Sequence, residues 1–171
     1  MKKLLTILCV VFLISCSNEV PSDKLVERQG ITYEVNSTTP FTGIEISDYS
    51  SIGEGVYRQE YKNGLKGDLW EKYYPNGNLE WRQKGDDFYE EYYVNGQLKI
   101  RSVDYFYEEY YPDGQLLIKQ EEDSYVSFHS NGQLKLRGNL KNWEEDGLWE
   151  EFDRNGNKIK HEEYKDGELI E

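Results

Sequence analysis

The sequence is poor in the residues on which most catalytic and metal sites depend. Among 171 residues there are only two cysteines and two histidines, and the histidines are far apart at positions 129 and 161. A metal site needs two or three convergent ligands, and no such cluster is apparent. No Gly-x-Ser-x-Gly elbow and no phosphate-binding glycine loop occurs either. We therefore expect no enzyme, no bound metal and no cofactor.

The sequence also lacks an apolar run long enough to cross a bilayer as a helix, which needs about 20 residues. The N-terminal run from Leu4 to Ile14 is shorter, follows two lysines and ends at a small residue, as in a secretory signal. The end of this run, Leu13-Ile-Ser-Cys16, resembles the bacterial lipobox. The resemblance implies a lipoprotein signal peptide over residues 1–15 and acyl chains, such as palmitate, on Cys16. A plain cleaved signal or an uncleaved helix is the alternative.

A lipid on Cys16 would make the protein a membrane-anchored component of the bacterial cell envelope. Ser17, rather than aspartate, follows the cysteine, which resembles sorting to the outer membrane. Cys9 leaves with the signal and Cys16 is used for the lipid. Disulfides, thiolate metal sites and cysteine nucleophiles are then excluded from the mature chain.

Positive charge is scarce compared with negative charge. Lysine and arginine number 20 and aspartate and glutamate 33, for a net charge of -13. Removing Lys2 and Lys3 with the signal peptide makes it -13 - 2 = -15. This charge argues against nucleic acid and anionic lipid surfaces as partners, and it permits a basic protein or a bound cation. A surface that is charged only for solubility is the alternative.

No sustained helical period occurs after residue 30. Residues 16–30 are polar and contain one proline, which predicts a flexible tether. A ten-residue phrase then recurs within residues 31–171. It consists of aromatic residues, an Asn-Gly or Asp-Gly pair and usually a leucine, and its five copies begin at Trp70, Tyr89, Tyr107, Tyr125 and Trp149. The chain is therefore an array of repeats.

Each copy predicts a β-hairpin. Asn-Gly between alternating apolar residues is typical of a type I′ turn, in which both central residues have positive φ. Successive copies are 18 to 24 residues apart, which leaves room for a second set of turns at the opposite edge. We predict those turns at 62–67, 84–87, 102–104, 121–124, 145–147 and 165–167. The predicted fold class is all-β, an elongated antiparallel meander of repeated hairpins in which every connection is a hairpin.

Three groups of residues resemble a known family. Phe41-Thr-Gly after Pro40, the segment from Tyr61 to Trp70, and the phrase Tyr-Tyr-x-Asn-Gly-x-Leu resemble the variant MORN repeat. More narrowly, they resemble the YwqK-type bacterial antitoxin family and its lipoprotein relatives. The resemblance covers residues 30–171 and implies a repeat domain with an antitoxin or immunity role. The Gly-x-Trp half-motif occurs near Trp70 and Trp149 but is missing from the middle copies.

Paired glutamates and tyrosines are the candidate functional residues. Neighbours on a strand point to opposite faces, so Glu90 and Glu91 cannot converge on one bond, and their recurrence suits a surface better than a catalytic centre. The predicted interaction surface consists of Tyr73, Tyr92, Tyr110, Glu90, Glu108 and Glu150. The alternative is that the aromatic rows only pack against neighbouring strands. One row would form a thin core with Leu79, Leu98, Leu116 and Leu134, and His129 would take the place of a tyrosine.

The sequence thus favours a lipid-anchored, non-catalytic protein-interaction module, with a basic protein or toxin as its partner. A structural outer-membrane lipoprotein without a discrete toxin partner is the alternative. An envelope hydrolase is disfavoured because no catalytic constellation supports it.

Overall fold

The computed structural model describes residues 18–171, so the predicted signal peptide and Cys16 lie outside the described residues. Fourteen strands form one continuous sheet, and two more form a separate small sheet. The only helices between residues 18 and 171 are two short 3-10 turns, Ser22–Lys24 and Ser50–Ile52. Within this range no helix is long and apolar enough to cross a membrane. The predicted all-β fold class is confirmed.

The N-terminal part contains β1 (Glu19–Pro21), β2 (Leu25–Arg28), β3 (Ile31–Glu34) and β4 (Gly43–Asp48). Strand β1 pairs in parallel with β4, while β2 and β3 form the separate two-stranded sheet. The prediction of a flexible tether is therefore wrong from Glu19 to Arg28. The prediction that every connection is a hairpin is also wrong here, because the parallel pairing of β1 with β4 needs a longer connection.

A small apolar core explains why this N-terminal segment is ordered. Val20, Phe41 and Tyr61 are buried against one another, and Leu25 packs against them. The ring centroids of Phe41 and Tyr61 are 5.8 Å apart. Burial of these side chains supplies a hydrophobic stabilisation that the polar composition of residues 16–30 did not suggest.

From β4 onward each strand pairs antiparallel with the next one along the chain. The strands are β5 (Val56–Lys62), β6 (Leu65–Tyr73), β7 (Leu79–Lys84), β8 (Phe88–Tyr92), β9 (Leu98–Val103), β10 (Phe106–Tyr110), β11 (Leu116–Glu121), β12 (Ser124–Phe128), β13 (Leu134–Lys141), β14 (Glu144–Phe152), β15 (Lys158–Lys165) and β16 (Glu168–Leu169). The predicted meander is thus confirmed for the repeats.

The five recurring phrases form the turns along one side of the sheet, at residues 74–78, 93–97, 111–115, 129–133 and 153–157, which we call the amide edge. In the first of them Gly77 N donates to Tyr74 O at 2.9 Å and Tyr74 N donates to Asn78 O at 2.8 Å. Gly77 has a φ of 87°, whereas Asn76 does not have positive φ. This is a type I turn followed by a left-handed glycine. The type I′ prediction is wrong because the loop is one residue longer than that turn.

The turns on the other side of the sheet, at residues 85–87, 104–105, 122–123, 142–143 and 166–167, form what we call the acidic edge. The predicted turns at 84–87, 121–124 and 165–167 lie there. The turn predicted at 145–147 is wrong, because Asn142 and Trp143 form the turn and Gly147 lies inside β14. The pairing of β13 with β14 shifts register near this glycine, so the Asp-Gly pair belongs to an irregularity of the strand.

The repeats bury little apolar surface. Of all described apolar side chains only Val20, Phe41, Tyr61 and Trp149 are buried, and Leu79, Leu98, Leu116 and Leu134 are half-buried. The predicted thin leucine core is therefore incomplete. Trp149 can lie flat on β13 because Gly138 lies beneath it, where an added Cβ would come within 2.2 Å of the indole ring. Stability of the repeats must depend on polar contacts between neighbouring strands as well.

Candidate functional site

A row of alternating charges crosses one face of the sheet, and we call it the charge ladder. The strand register places each of the two central glutamates, Glu71 and Glu90, between two arginines of the neighbouring strands. The residues in order are Arg58, Glu71, Arg82, Glu90, Arg101 and Glu108. The acidic residues of this row therefore face cations of the same chain, which reduces their availability to a partner.

Glu90 is the most deeply buried member of the ladder, with only 2% of its surface exposed. Its two carboxylate oxygens accept hydrogen bonds from Arg82 Nε at 2.8 Å and from Arg101 Nε at 3.0 Å. The Tyr92 hydroxyl donates a third at 2.7 Å. Burial alone would raise the pKa of Glu90, but the hydrogen bonds from Tyr92, Arg101 and Arg82 outweigh it and the pKa is lowered. Glu90 is thus an ionised, fully paired structural residue.

The other predicted surface residues also have partners within the sheet. The Tyr110 hydroxyl donates to Glu108 at 2.5 Å, and the Tyr73 hydroxyl donates to Glu71 at 3.0 Å. Burial, with the neighbouring carboxylate, raises the pKa of Tyr110 to about 12. Glu150 pairs with Arg137 and with Lys158.

The structure therefore places Glu90 and Glu108 in the charge ladder, and Tyr73, Tyr92 and Tyr110 donate hydrogen bonds to glutamates of that ladder. Glu150 lies apart from them on β14, where it pairs with cations of the neighbouring strands. Glu90 is buried, so its prediction as an exposed contact is wrong. The sequence pattern did not reveal this because the arginines that hold Glu90 lie outside the phrase, on the neighbouring strands, and only the strand register places them beside it. The alternative, in which this aromatic row packs within the sheet, agrees better with the structure.

A second row of side chains ties each amide-edge turn to the next. The Tyr74 hydroxyl donates to Tyr92 O at 2.9 Å, and Tyr93 and Tyr111 make the corresponding bonds at 2.9 and 3.0 Å. His129 takes the tyrosine's place, as expected, with Nε2 at 2.8 Å from Phe152 O. Because a carbonyl oxygen only accepts, His129 must carry its proton on Nε2. Side-chain rings therefore link four successive pairs of repeats.

The turn amides add a parallel row of bonds. Asn76 Nδ2 donates to Val94 O at 3.0 Å, and Asn95 and Asn131 donate in the same way to the following turn. Position 113 is the exception, because its aspartate has no N–H to donate. The exposed amides of this edge are thus largely committed to the protein itself.

The acidic edge leaves its side chains free by comparison. Within residues 18–171 five of its carboxylates, those of Asp86, Asp87, Asp104, Glu122 and Asp123, form no ion pair. Successive turns are joined through backbone groups, as where Asp104 N donates to Asp87 O at 3.0 Å. The carboxylates therefore project from a row of turns without internal partners.

Two exposed aromatic side chains lie among these carboxylates. Tyr105 is 72% exposed and Trp143 is 69% exposed. Both line a depression of about 310 Å³ together with Glu122, Asp123 and Leu140. Sequence reasoning missed this site because it placed the turn at 145–147 and so put Trp143 on a strand.

Trp143 also has an uncommon backbone conformation. Its φ is 70° and that of Asn142 is 52°, so both central residues of the turn are left-handed. Glycine is usual at the second position of such a turn, and a bulky side chain there is strained. An Asn-Trp pair at a two-residue turn is the sequence signal that could have identified the site.

No group of three or more His, Cys, Asp or Glu side chains in the described range is arranged to hold a metal ion.

Comparison with known families identifies the repeats. Residues 69–80, 107–121 and 145–166 match the MORN repeat variant. Each matched segment contains one amide-edge turn with parts of the strands on both sides, from β6–β7, β10–β11 and β14–β15. No curated protein matches the chain. The turns at 93–97 and 129–133 have the same backbone hydrogen bonds as the matched ones.

Proposed function

We propose that this protein, whose repeats are of the MORN variant type, is a non-catalytic protein-interaction module of the bacterial cell envelope. Such repeats generally act as modules that contact proteins or membranes. The lipobox-like residues Leu13 to Cys16 support a lipid anchor on Cys16, and Ser17 supports an outer-membrane location. The repeat domain would then be held at a membrane surface by acyl chains.

The partner we propose is a protein with a basic surface, bound along the acidic edge. The observation that supports it best is the pair of exposed rings, Tyr105 and Trp143, beside the unpaired carboxylates of Glu122 and Asp123. Tyrosine and tryptophan are enriched at interfaces because they provide large contact area with few rotatable bonds. The carboxylates attract a basic partner and increase its rate of association. A strained Trp143 that packs little within its own chain is consistent with a binding role.

A basic toxin is the partner that would make this an immunity protein, as the family resemblance implies. The acidic edge fits that role because its carboxylates attract a basic protein. Salt screens this attraction, so binding of such a toxin must weaken as the salt concentration rises. The alternative is a structural envelope protein without a discrete partner. The charge ladder favours it, because that face neutralises its own charges.

A capture experiment with matched variants distinguishes the two functions. The full-length protein is expressed in its own host with a C-terminal tag, as wild type, as the double variant Tyr105→Ser/Trp143→Gly, and as the amide-edge control Asn95→Ser. We expect wild type and control to retain the same basic protein at low salt and to release it as salt rises. The double variant should lose it while keeping its fold, since glycine accepts the φ of position 143. Equal retention by the double variant, or no specific protein at low salt, would contradict the proposal.

Metabolic labelling with palmitate tests the anchor. We expect wild type to take up label and Cys16→Ala to lose it. An unlabelled wild type, or label that persists in the variant, would refute lipidation of Cys16.

A further inference from the structure

A groove of about 460 Å³ lies at the N-terminal end of the large sheet, away from the acidic edge. It is lined by residues of strands β4 to β6 and of the loop that follows β4. Three of the lining residues are the aromatic Tyr49, Tyr57 and Trp70. The volume falls in the range of small-molecule binding sites, which are mostly apolar with a few charged groups.

The rings of the groove meet at steep angles. Tyr49 and Tyr57 have centroids 5.9 Å apart and planes at 77°. Trp70 is supported from the side by Trp81, at 5.6 Å and 78°. Trp70 and Tyr49 remain 45% and 47% exposed, and Ile52 beside them is 72% exposed. Tyr49, Tyr57 and Trp70 therefore present aromatic surface to the same groove.

The charges of the groove are those expected for a site that binds a cation. Glu45 and Glu54 line it, against a single cation, Lys66. Neither glutamate forms an ion pair with any other residue of the described chain. Lys72, which does not line the groove, lies with Nζ 5.3 Å from the Tyr57 ring centroid. The Tyr57 ring therefore already contacts a cation of the chain from outside the groove, which leaves Tyr49 and Trp70 as the rings with the largest exposed surface.

We propose that this groove binds a small quaternary ammonium compound. The faces of tyrosine and tryptophan attract cations, and a weakly hydrated methylated cation gains most from rings that exclude water. Its methyl groups would contact the rings and Ile52, while Glu45 and Glu54 balance its charge. A neutral sugar could stack on the same rings and donate hydrogen bonds to the carboxylates, but it would not balance their charge, and an anion would be repelled.

Equilibrium dialysis of the purified full-length chain in detergent against radiolabelled choline tests this assignment. We expect saturable binding that 3,3-dimethyl-1-butanol, the uncharged isostere of choline, does not displace. Glu54→Gln removes one carboxylate from an exposed loop and should weaken binding roughly threefold to tenfold, and Trp70→Ala should weaken it at least as much. Glu168→Gln, which removes an exposed carboxylate in β16 at the other end of the sheet, is the matched control and should leave choline binding unchanged.

Three results would overturn the proposal. They are an absence of saturable choline binding, equal displacement by the uncharged isostere, and unchanged affinity in Glu54→Gln. The inference does not rest on the proposed protein partner, because the groove shares no residue with the depression at Tyr105 and Trp143, and loss of the protein partner would leave choline binding intact.

Discussion

The amide edge and the acidic edge are formed by turns between the same strands, yet their side chains have opposite uses. Along the amide edge, Tyr74, Tyr93 and Tyr111 donate hydrogen bonds to the following repeat, as do most of the turn asparagines. Along the acidic edge, successive turns are joined through their backbones. Apart from Asp166, which pairs with Lys141, the turn carboxylates of this edge form no ion pair within residues 18–171. The exposed side chains of the amide edge therefore hold neighbouring repeats together, whereas those of the acidic edge remain available to a partner.

This difference shows why recurrence alone does not identify a binding surface. The residues that recur most regularly, such as Glu90 and Tyr92, bind one another and the arginines beside them. Tyr105 and Trp143, which lie outside the repeated phrase, are among the most exposed aromatic side chains. In a repeat sheet, irregular positions are free to acquire function because neighbouring repeats do not need them.

The largest loss of stability is expected from Glu90→Ala. It leaves Arg82 and Arg101 without their shared carboxylate, and removing one member of a buried charged network is strongly destabilising. Because both arginines are partly exposed, we expect the free energy of unfolding to fall by about 2 to 3 kcal/mol. Urea unfolding followed by circular dichroism measures it.

Glu91→Ala, the adjacent position on the opposite face, is the matched control. Its partner Lys99 lies 2.6 Å away but is 35% exposed. We expect a loss of about 0.5 to 1 kcal/mol, as for an ordinary surface pair. Equal losses in the two variants would show that the ladder is no more than a set of surface charges.

The pH dependence of stability should reveal the same carboxylate. The pKa of Glu90 is lower in the folded protein than its ordinary value of 4.5. Its stabilisation is thus complete above that value and is lost as pH falls through the folded pKa, because the unfolded chain takes up the proton first. Unfolding of wild type at a series of pH values below 5 should show this loss, and Glu90→Gln should show a shallower one. Identical profiles would contradict the assignment.

A pair of tyrosine variants compares the two edges directly. Tyr111→Phe removes the hydroxyl that donates to Phe128 O at 3.0 Å and should cost about 1 kcal/mol of unfolding free energy. Tyr105→Phe, at the acidic edge, changes an exposed side chain and should have no measurable effect. Chemical denaturation of both proteins provides the measurement, and an equal effect would abolish the distinction between the edges.

The smallest change in the free energy of unfolding is expected at Asp113, the one position where an aspartate interrupts the row of hydrogen-bonding asparagines. Asp113→Asn supplies an N–H that can donate to the following turn, as Asn95 does. We expect a gain of about 0.5 kcal/mol. A gain in thermal midpoint confirms it, and a loss would show that Asp113 has a role other than that of its neighbours.

Much of the fold follows from the phrase itself, since alternation and Asn-Gly pairs specify hairpins and their order. Three features of the fold could not be predicted from the phrase. The order of Glu19 to Arg28 depends on Phe41 and Tyr61, which lie far along the chain. The chain turns at Asn142 and Trp143, although the Asp146-Gly147 pair is the stronger local signal for a turn. The burial of Glu90 depends on strand pairing and could not be judged from its own segment. Each is a tertiary effect that overrides a local pattern.

Chemical-shift mapping with a pentalysine peptide tests the central claim most directly, because it asks which edge a basic partner contacts. The full-length chain is isotope-labelled, held in detergent micelles and titrated with the peptide at low and high salt. We predict that the largest shifts occur at Tyr105, Glu122 and Trp143 and that salt removes them. Shifts centred on Asn95 and Asn131 at the amide edge, or spread equally over both edges, would contradict the account.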